Sequence, residues 1–283
     1  ASKTAPDIRC FTIDPIGGSD NDVVEDLPYA VEVAKHLKVD LEIVKIDADD
    51  LANDLVAMVW QLDEPLADPA PLNVLYISRL ARQRGIKVLL SGSGGDDIFT
   101  GYRRHLALRY EGLWSWLPSI AKQGLESFSM NLDQSKTMGR RLGRLFNNAG
   151  AGGDERLAAY FAWARRSDLE PLYSPEMRSA VKSSIPEQPM LDFLDSVDSG
   201  ISSIDRMLAL EQRFFLADHN LIYTDKMSMA AGIEVRVPFL DLDLVELAAS
   251  IPDQFKQRGR VGKWVLKKAM EPYLPHDIIY RPK

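Results

Sequence analysis

The sequence predicts an α/β protein: a doubly wound parallel sheet followed by a mostly helical lobe. Three observations carry that expectation. Strand and helix patterns alternate over the first part of the chain, the rhythm of βαβ units. The run Val88-Leu89-Leu90 is short and wholly apolar, as in a parallel strand buried on both faces. From Tyr102 onward strand signals nearly vanish and long helical patterns replace them. The expected division is therefore an α/β lobe over 1–102 and a helical lobe over 103–283.

The elements follow in order. Ile8 to Ile13 is a β-prone run, and Asp14 to Asp20 is dense in turn formers. Leu27, Ala30, Ala34 and Leu37 recur at helical spacing, with Pro28 tolerated in the first turn. Leu41 to Ile46 alternates as a strand, Leu51 to Leu62 is helical, and Asp63-Glu64-Pro65 breaks it. A helix over Leu72 to Arg84 ends at Gly85. In the second lobe helices are expected over Arg103–Trp116, Glu155–Ala164, Ile204–Leu221, Leu242–Ala249 and Lys263–Met270. Asn147 to Asp154 reads as an exposed loop and Pro186 to Pro189 as a break. Arg103-Arg104-His105 reads as a solvated helix start, and Trp114 and Trp116 with Leu113 and Leu117 as helix packing.

Composition narrows the class. The 283 residues carry 34 Lys+Arg against 41 Asp+Glu, a net charge of −7, with 46% apolar types. That excludes disorder, coiled coil and collagen. The acidic balance argues against a nucleic-acid partner. No apolar run approaches the ~20 residues of a membrane span, so no membrane association is expected. The lone Cys10 excludes an internal disulfide framework and fits a reducing, cytoplasmic setting. The ends, Ala1-Ser2-Lys3 and Arg281-Pro282-Lys283, read as cuts, with no leader peptide at the start.

The chemistry concentrates in Ser91-Gly92-Ser93-Gly94-Gly95-Asp96-Asp97, directly after the third strand. Ligands of open α/β sheets bind at the carboxyl ends of strands. Glycines let the backbone approach a ligand and turn its amides toward anionic oxygens. The acidic pair could hold Mg²⁺ beside phosphates. Equally, this could be an ordinary turn in which Asp96 or Asp97 caps a helix. The four histidines lack ligand spacing.

The run from Val88 through Tyr102 resembles the L-S-G-x-G-x-D-E-x-F-x-G-Y signature of the asparagine synthetase family. Asp225 to Met229 with Glu234 to Asp241, Gly262-Lys263 with Leu266 to Ala269, Glu25 to Ala34, and Asp63-Glu64-Pro65 resemble four further family segments, in the right order. The resemblance implies the C-terminal synthetase domain of the PP-loop adenylating type, with residues 1–102 an incomplete nucleotide-binding lobe and 103–283 completing the site. It implies ATP and Mg²⁺, aspartate as the adenylated carboxylate, and ammonia from glutamine as the nucleophile. It implies that Ile13 lies near the base, that Ser91 and Gly92 hold the adenosine, and that Gly94 and Gly95 are cofactor-binding residues of the same loop. Asp96 would bind Mg²⁺, and Lys263 would meet phosphate charge in catalysis. A homodimer is compatible with it.

Three departures temper the resemblance. Ser93 stands where the family has an acidic residue placed to take a proton from ammonia, and serine lacks that basicity. The S-G-G-x-D-S loop is absent; Gly17-Gly18-Ser19-Asp20 only superficially resembles it. The N-terminal glutaminase domain is missing, and Cys10, on an expected strand, cannot replace its nucleophile. We therefore expect these 283 residues alone to be inactive. Alternatives are a related amidotransferase or β-lactam synthetase-like enzyme acting on another carboxylate, or a catalytically silent nucleotide-binding module. Residues 105–203 carry no recognisable motif.

Overall fold

The structure is a computed structural model that describes residues 3–5, 7–15, 26–64, 66, 68–133, 135–162, 164 and 166–281. Gly17-Gly18-Ser19-Asp20, and the motif residues Glu25 and Pro65, lie outside them.

Two parallel strand pairs stand where the sequence predicted one sheet. Strands β1 (Arg9–Pro15) and β2 (Asp40–Ile46) run side by side, from Arg9 opposite Asp40 to Pro15 opposite Ile46. Helix α1 (Leu27–Leu37) connects them, beginning with Pro28 in its first turn and closing on Lys38 in the left-handed region (φ 55°). Helix α2 (Ala48–Leu62) opens on a reciprocal cap between Asp47 and Asp50, an arrangement contributing ~1 kcal/mol. Helix α3 (Ala70–Gln83) follows, and Met58, Leu62, Leu72, Leu75 and Met227 form one apolar core.

The second pair joins β3 (Val88–Leu90) to β4 (Glu234–Arg236). The sequence did not suggest β4, because three residues cannot display an alternation. Contrary to the expected two-sided burial of β3, Val88 and Leu90 are 42% and 56% exposed. A strand with one partner among the described residues has little to cover its faces. The architecture is thus mixed α/β, helix-rich, with small parallel pairs.

The chain forms two compact units, neither continuous in sequence. The first gathers Ala1–Phe99, Phe215–Ser250 and Lys263–Lys283; the second gathers Thr100–Phe214 and Ile251–Gly262. The first therefore contains segments that a single cut at residue 102 assigns to the helical lobe.

The second unit is helical. Leu108, Leu157, Leu194, Ile204, Met207, Leu208 and Leu210 form its core, and Phe193 meets Phe214 edge-on at 5.7 Å. Helices Ser119–Met130, Thr137–Phe146, Pro175–Ala180 and Gln188–Ser196 were not legible in sequence. The helix from Arg103 stops at Tyr110, then tightens into a short 3₁₀ turn over Glu111–Leu113. Trp116 is consequently 74% exposed rather than packed, whereas Trp114 meets Phe146 edge-on at 5.4 Å. The Arg103-Arg104-His105 start is not solvated throughout: Arg104 pairs with fully buried Glu211, and His105 is itself fully buried. The expected Ile204–Leu221 helix is α-helical over Ser203–Leu210 and π-helical over Glu211–Leu221.

Candidate functional site

The site is built at the carboxyl end of β3. The ladder with β4 runs one bond past the strand, where the Ser91 N–H donates to the Arg236 carbonyl at 2.8 Å. The chain then turns. Gly94 sits at φ 90°, a region closed to most side chains. A Cβ there would lie 2.5 Å from the Leu240 side chain, so both conformation and space require glycine. The Phe239 ring lies 3.5 Å from where a Gly95 Cβ would be. Pro238-Phe239-Leu240 thus acts as a packing wall behind the loop. The Gly94 carbonyl accepts from the Asp97 and Ile98 N–H groups at 3.1 Å and starts the short helix α4 (Gly95–Phe99).

The front of the loop is more open. Gly92 is exposed, and nothing lies within 4 Å of where its Cβ would be. The Ser91 and Ser93 hydroxyls are hydrogen-bonded at 2.9 Å, and the Ser93 N–H donates to Ser91 Oγ at 3.2 Å. Ser93 therefore has another hydroxyl as its side-chain neighbour, and serine without a base is a poor proton acceptor.

Lys263, remote in sequence, comes to this place. Its Nζ lies 2.8 Å from Asp96 Oδ1, with the side chains 22% and 31% exposed. Its N–H donates to the Phe99 carbonyl at 2.8 Å. Lys263 itself is left-handed, at φ 54° and ψ 35°, which costs a non-glycine residue ~1–2 kcal/mol. That conformation precedes the Trp264–Met270 helix and turns the lysine back toward α4. Asp97, in contrast, is 1% exposed.

Ile13 belongs to the other strand pair, half-buried and opposite Val44. Ser91, Ser93, Gly94, Gly95, Asp96 and Lys263 are brought together; among the described residues no backbone ladder joins the Ile13 strand to them. Glu234 and Arg236 pair with each other at 2.8 Å on the exposed edge of β4. Cys10 is half-buried in β1, and burial pushes its thiol up from the ordinary value, the opposite of a reactive cysteine.

A second polar group in the same unit joins Asp63 and Lys226, each from a segment the sequence singled out, and sets Asp68 against His219, which no motif marked. Asp63, at the left-handed end of α2, pairs with Lys226, whose ammonium is held above its usual range by that bond. Asp68 Oδ2 lies 3.2 Å from His219 Nε2, and the His219 hydrogen bond holds the Asp68 carboxyl below the usual range despite desolvation. The His219 ring stacks on Phe215 at 4.9 Å and meets Tyr223 edge-on at 5.3 Å. Burial, then the charges of Asp68 and Asp97, push the Tyr223 phenol up. Spacing alone could not find this group, since its partners lie far apart in the chain.

A family model described as asparagine synthase matches residues 1–283. A candidate glutamine-hydrolyzing asparagine synthetase of Mycobacterium tuberculosis is 30% identical, over 84% of this chain and 35% of its own length. Asparagine synthetase [glutamine-hydrolyzing] 1 of Bacillus subtilis is 28% identical, over 100% of this chain and 43% of its own. Amidase chyE of Penicillium rubens is 25% identical, over 98% of this chain and 43% of its own. The chain spans less than half the length of these curated relatives.

Proposed function

The chain belongs to the asparagine synthase family, and from that premise we propose that it carries the synthetase site of an ATP-dependent amide ligase. In this reading the aspartate side-chain carboxylate is activated by ATP as its adenylate, with release of pyrophosphate. Ammonia, derived from glutamine in the whole protein, then displaces AMP and gives asparagine. The physical reason for activation is the leaving group: a free carboxylate offers ammonia a poor one and a mixed anhydride a good one. The two strand pairs would belong to one doubly wound sheet of the PP-loop type, with the Ser91–Gly95 loop at its ligand-binding edge.

The observation that carries the reading is the Asp96–Lys263 pair, two part-exposed opposite charges 2.8 Å apart beside an open glycine loop. Part-exposed charges can exchange partners at little desolvation cost. Lys263 would turn to phosphate oxygens as a point charge, a role that suits an ammonium. Asp96 would hold Mg²⁺. That ion takes one or two carboxylates and completes its shell with phosphate and water. The bound ion would neutralise charge on the departing pyrophosphate. Ser91 and Gly92 would hold the adenosine through their backbone, Gly94 and Gly95 would belong to the same nucleotide-binding loop by letting it pack close against Leu240 and Phe239, and Ile13 would lie near the base.

Ser93 favours a second reading, in which the site adenylates a different carboxylate or only binds nucleotide. Its hydroxyl contacts Ser91, so no carboxylate at that position receives the ammonium proton. Aspartate-dependent ATP–pyrophosphate exchange by the full-length protein tests the main reading. Exchange is expected; none with aspartate or any other carboxylate would overturn adenylation. Exchange without amide formation from ammonia would favour the second reading, and Ser93→Glu should then raise amide yield.

A further inference from the structure

Away from that site, the helical unit contains a cleft of about 230 Å³ whose wall is unevenly satisfied. Its lining combines Leu108 and Leu157 and several small residues with the charges of Glu111, Lys122 and Arg156. Arg156, 4% exposed, is committed to the protein: it donates to Glu111, to the Asn147 and Leu145 carbonyls, and to the Tyr160 hydroxyl. Glu111 is likewise held, by Arg156 and by the Tyr160 O–H at 2.6 Å. These two charges cancel.

Two donors on residues that line the cleft have no such commitment. The Trp114 indole N–H is shielded from solvent and has no acceptor among the described residues. Lys122 lines the cleft, and the ion pairs and hydrogen bonds among the described residues do not engage its ammonium. A buried indole N–H without an acceptor costs about 1–3 kcal/mol, and buried aromatic N–H groups usually find partners. The missing complement is therefore an acceptor with a single negative charge. Its remainder must suit Leu108 and Leu157. A phosphate dianion fits poorly, because the lining offers it one uncommitted ammonium and also carries the Glu111 carboxylate.

We propose that this cleft binds a small aliphatic monocarboxylate, with the Lys122 ammonium and the Trp114 indole N–H on the carboxylate and Leu108 and Leu157 on the hydrocarbon. The proposal does not depend on the adenylation reading, since none of the loop residues lines the cleft.

The experiment uses the full-length protein labelled with ¹⁵N-tryptophan and titrated with butyrate, with butyramide as the uncharged control. The expected result is one indole resonance that moves saturably with butyrate and not with butyramide. Trp114→Phe should remove that resonance while keeping the edge contact with Phe146, and should weaken butyrate binding. Lys122→Met should weaken it about tenfold, roughly the loss of one charged contact, with the melting temperature unchanged. Lys136→Met, a lysine that does not line the cleft, should bind as wild type. No saturable shift, equal response to butyramide, or wild-type affinity in Lys122→Met would each overturn the proposal. Lys122→Met alone decides the matter if Trp114→Phe folds poorly.

Discussion

The ion pairs of the two units differ in what they are free to do. Beside the glycine loop, Asp96 and Lys263 are 31% and 22% exposed and hold each other at 2.8 Å. In the helical unit, Arg156 is 4% exposed, Arg206 is 8% exposed, and each is wrapped by carbonyls as well as a carboxylate. Chemically the pairs are alike. Their surroundings are not: the first pair is part-exposed to water, whereas opening the other strands a charge in the interior. Exposure therefore separates a pair that water can reach from one that holds the fold together.

The sharpest way to break this comparison is to remove one cation from each class. Lys263→Met should lower ATP–pyrophosphate exchange by about 10²–10³-fold, the scale of losing one preorganised charge, with an unchanged urea midpoint. Arg156→Met should do the reverse, losing about 3–5 kcal/mol of stability in urea unfolding. If Lys263→Met unfolds the protein as readily as Arg156→Met, the distinction fails.

A smaller effect tests the loop that supports the exposed pair. Gly94→Ala forces a side chain into φ 90° and against Leu240. It should cost about 1–2 kcal/mol from strain alone, with the clash added. The double variant Gly94→Ala, Leu240→Ala should recover the clash but not the strain. Full recovery in urea unfolding would show that backbone conformation is not limiting there.

The smallest effect concerns Asp68, whose carboxyl is held low chiefly by its hydrogen bond with His219. A lowered folded value means the contribution is present above the unfolded carboxylate range and lost as pH falls through the folded value. The group is partly exposed, so the contribution should stay below about 1 kcal/mol. The difference in urea midpoint between wild type and Asp68→Asn should shrink as pH drops from about 6 to about 3. A difference that stays constant with pH would remove the His219 bond as its source.

Much of the first unit was legible. β1, α1, β2 and α3 each carry their own periodicity, and the Ser91–Asp97 run announces a backbone that must come close to something. Asp96 lay in the glycine-rich run and Lys263 in a segment resembling the family's, but neither announced the other as its partner, because nothing in a local pattern links positions so far apart. β4 failed for the same reason: its pairing with β3 is between remote segments. In the helical unit, Gln188–Ser196 hid behind the prolines that open it, and the Arg103 helix ends at Tyr110, short of Trp116, where the chain tightens into the turn that contains Gly112.

By itself the sequence determined the local elements, the glycine loop and the residue types available for chemistry, because periodicity, propensity and turn preferences act over a few neighbours. Only the tertiary structure decided which charges are partners, which are buried, and which donors on a cleft wall are left over. Those outcomes depend on distances between segments remote in the chain, and on the desolvation that packing imposes on each group.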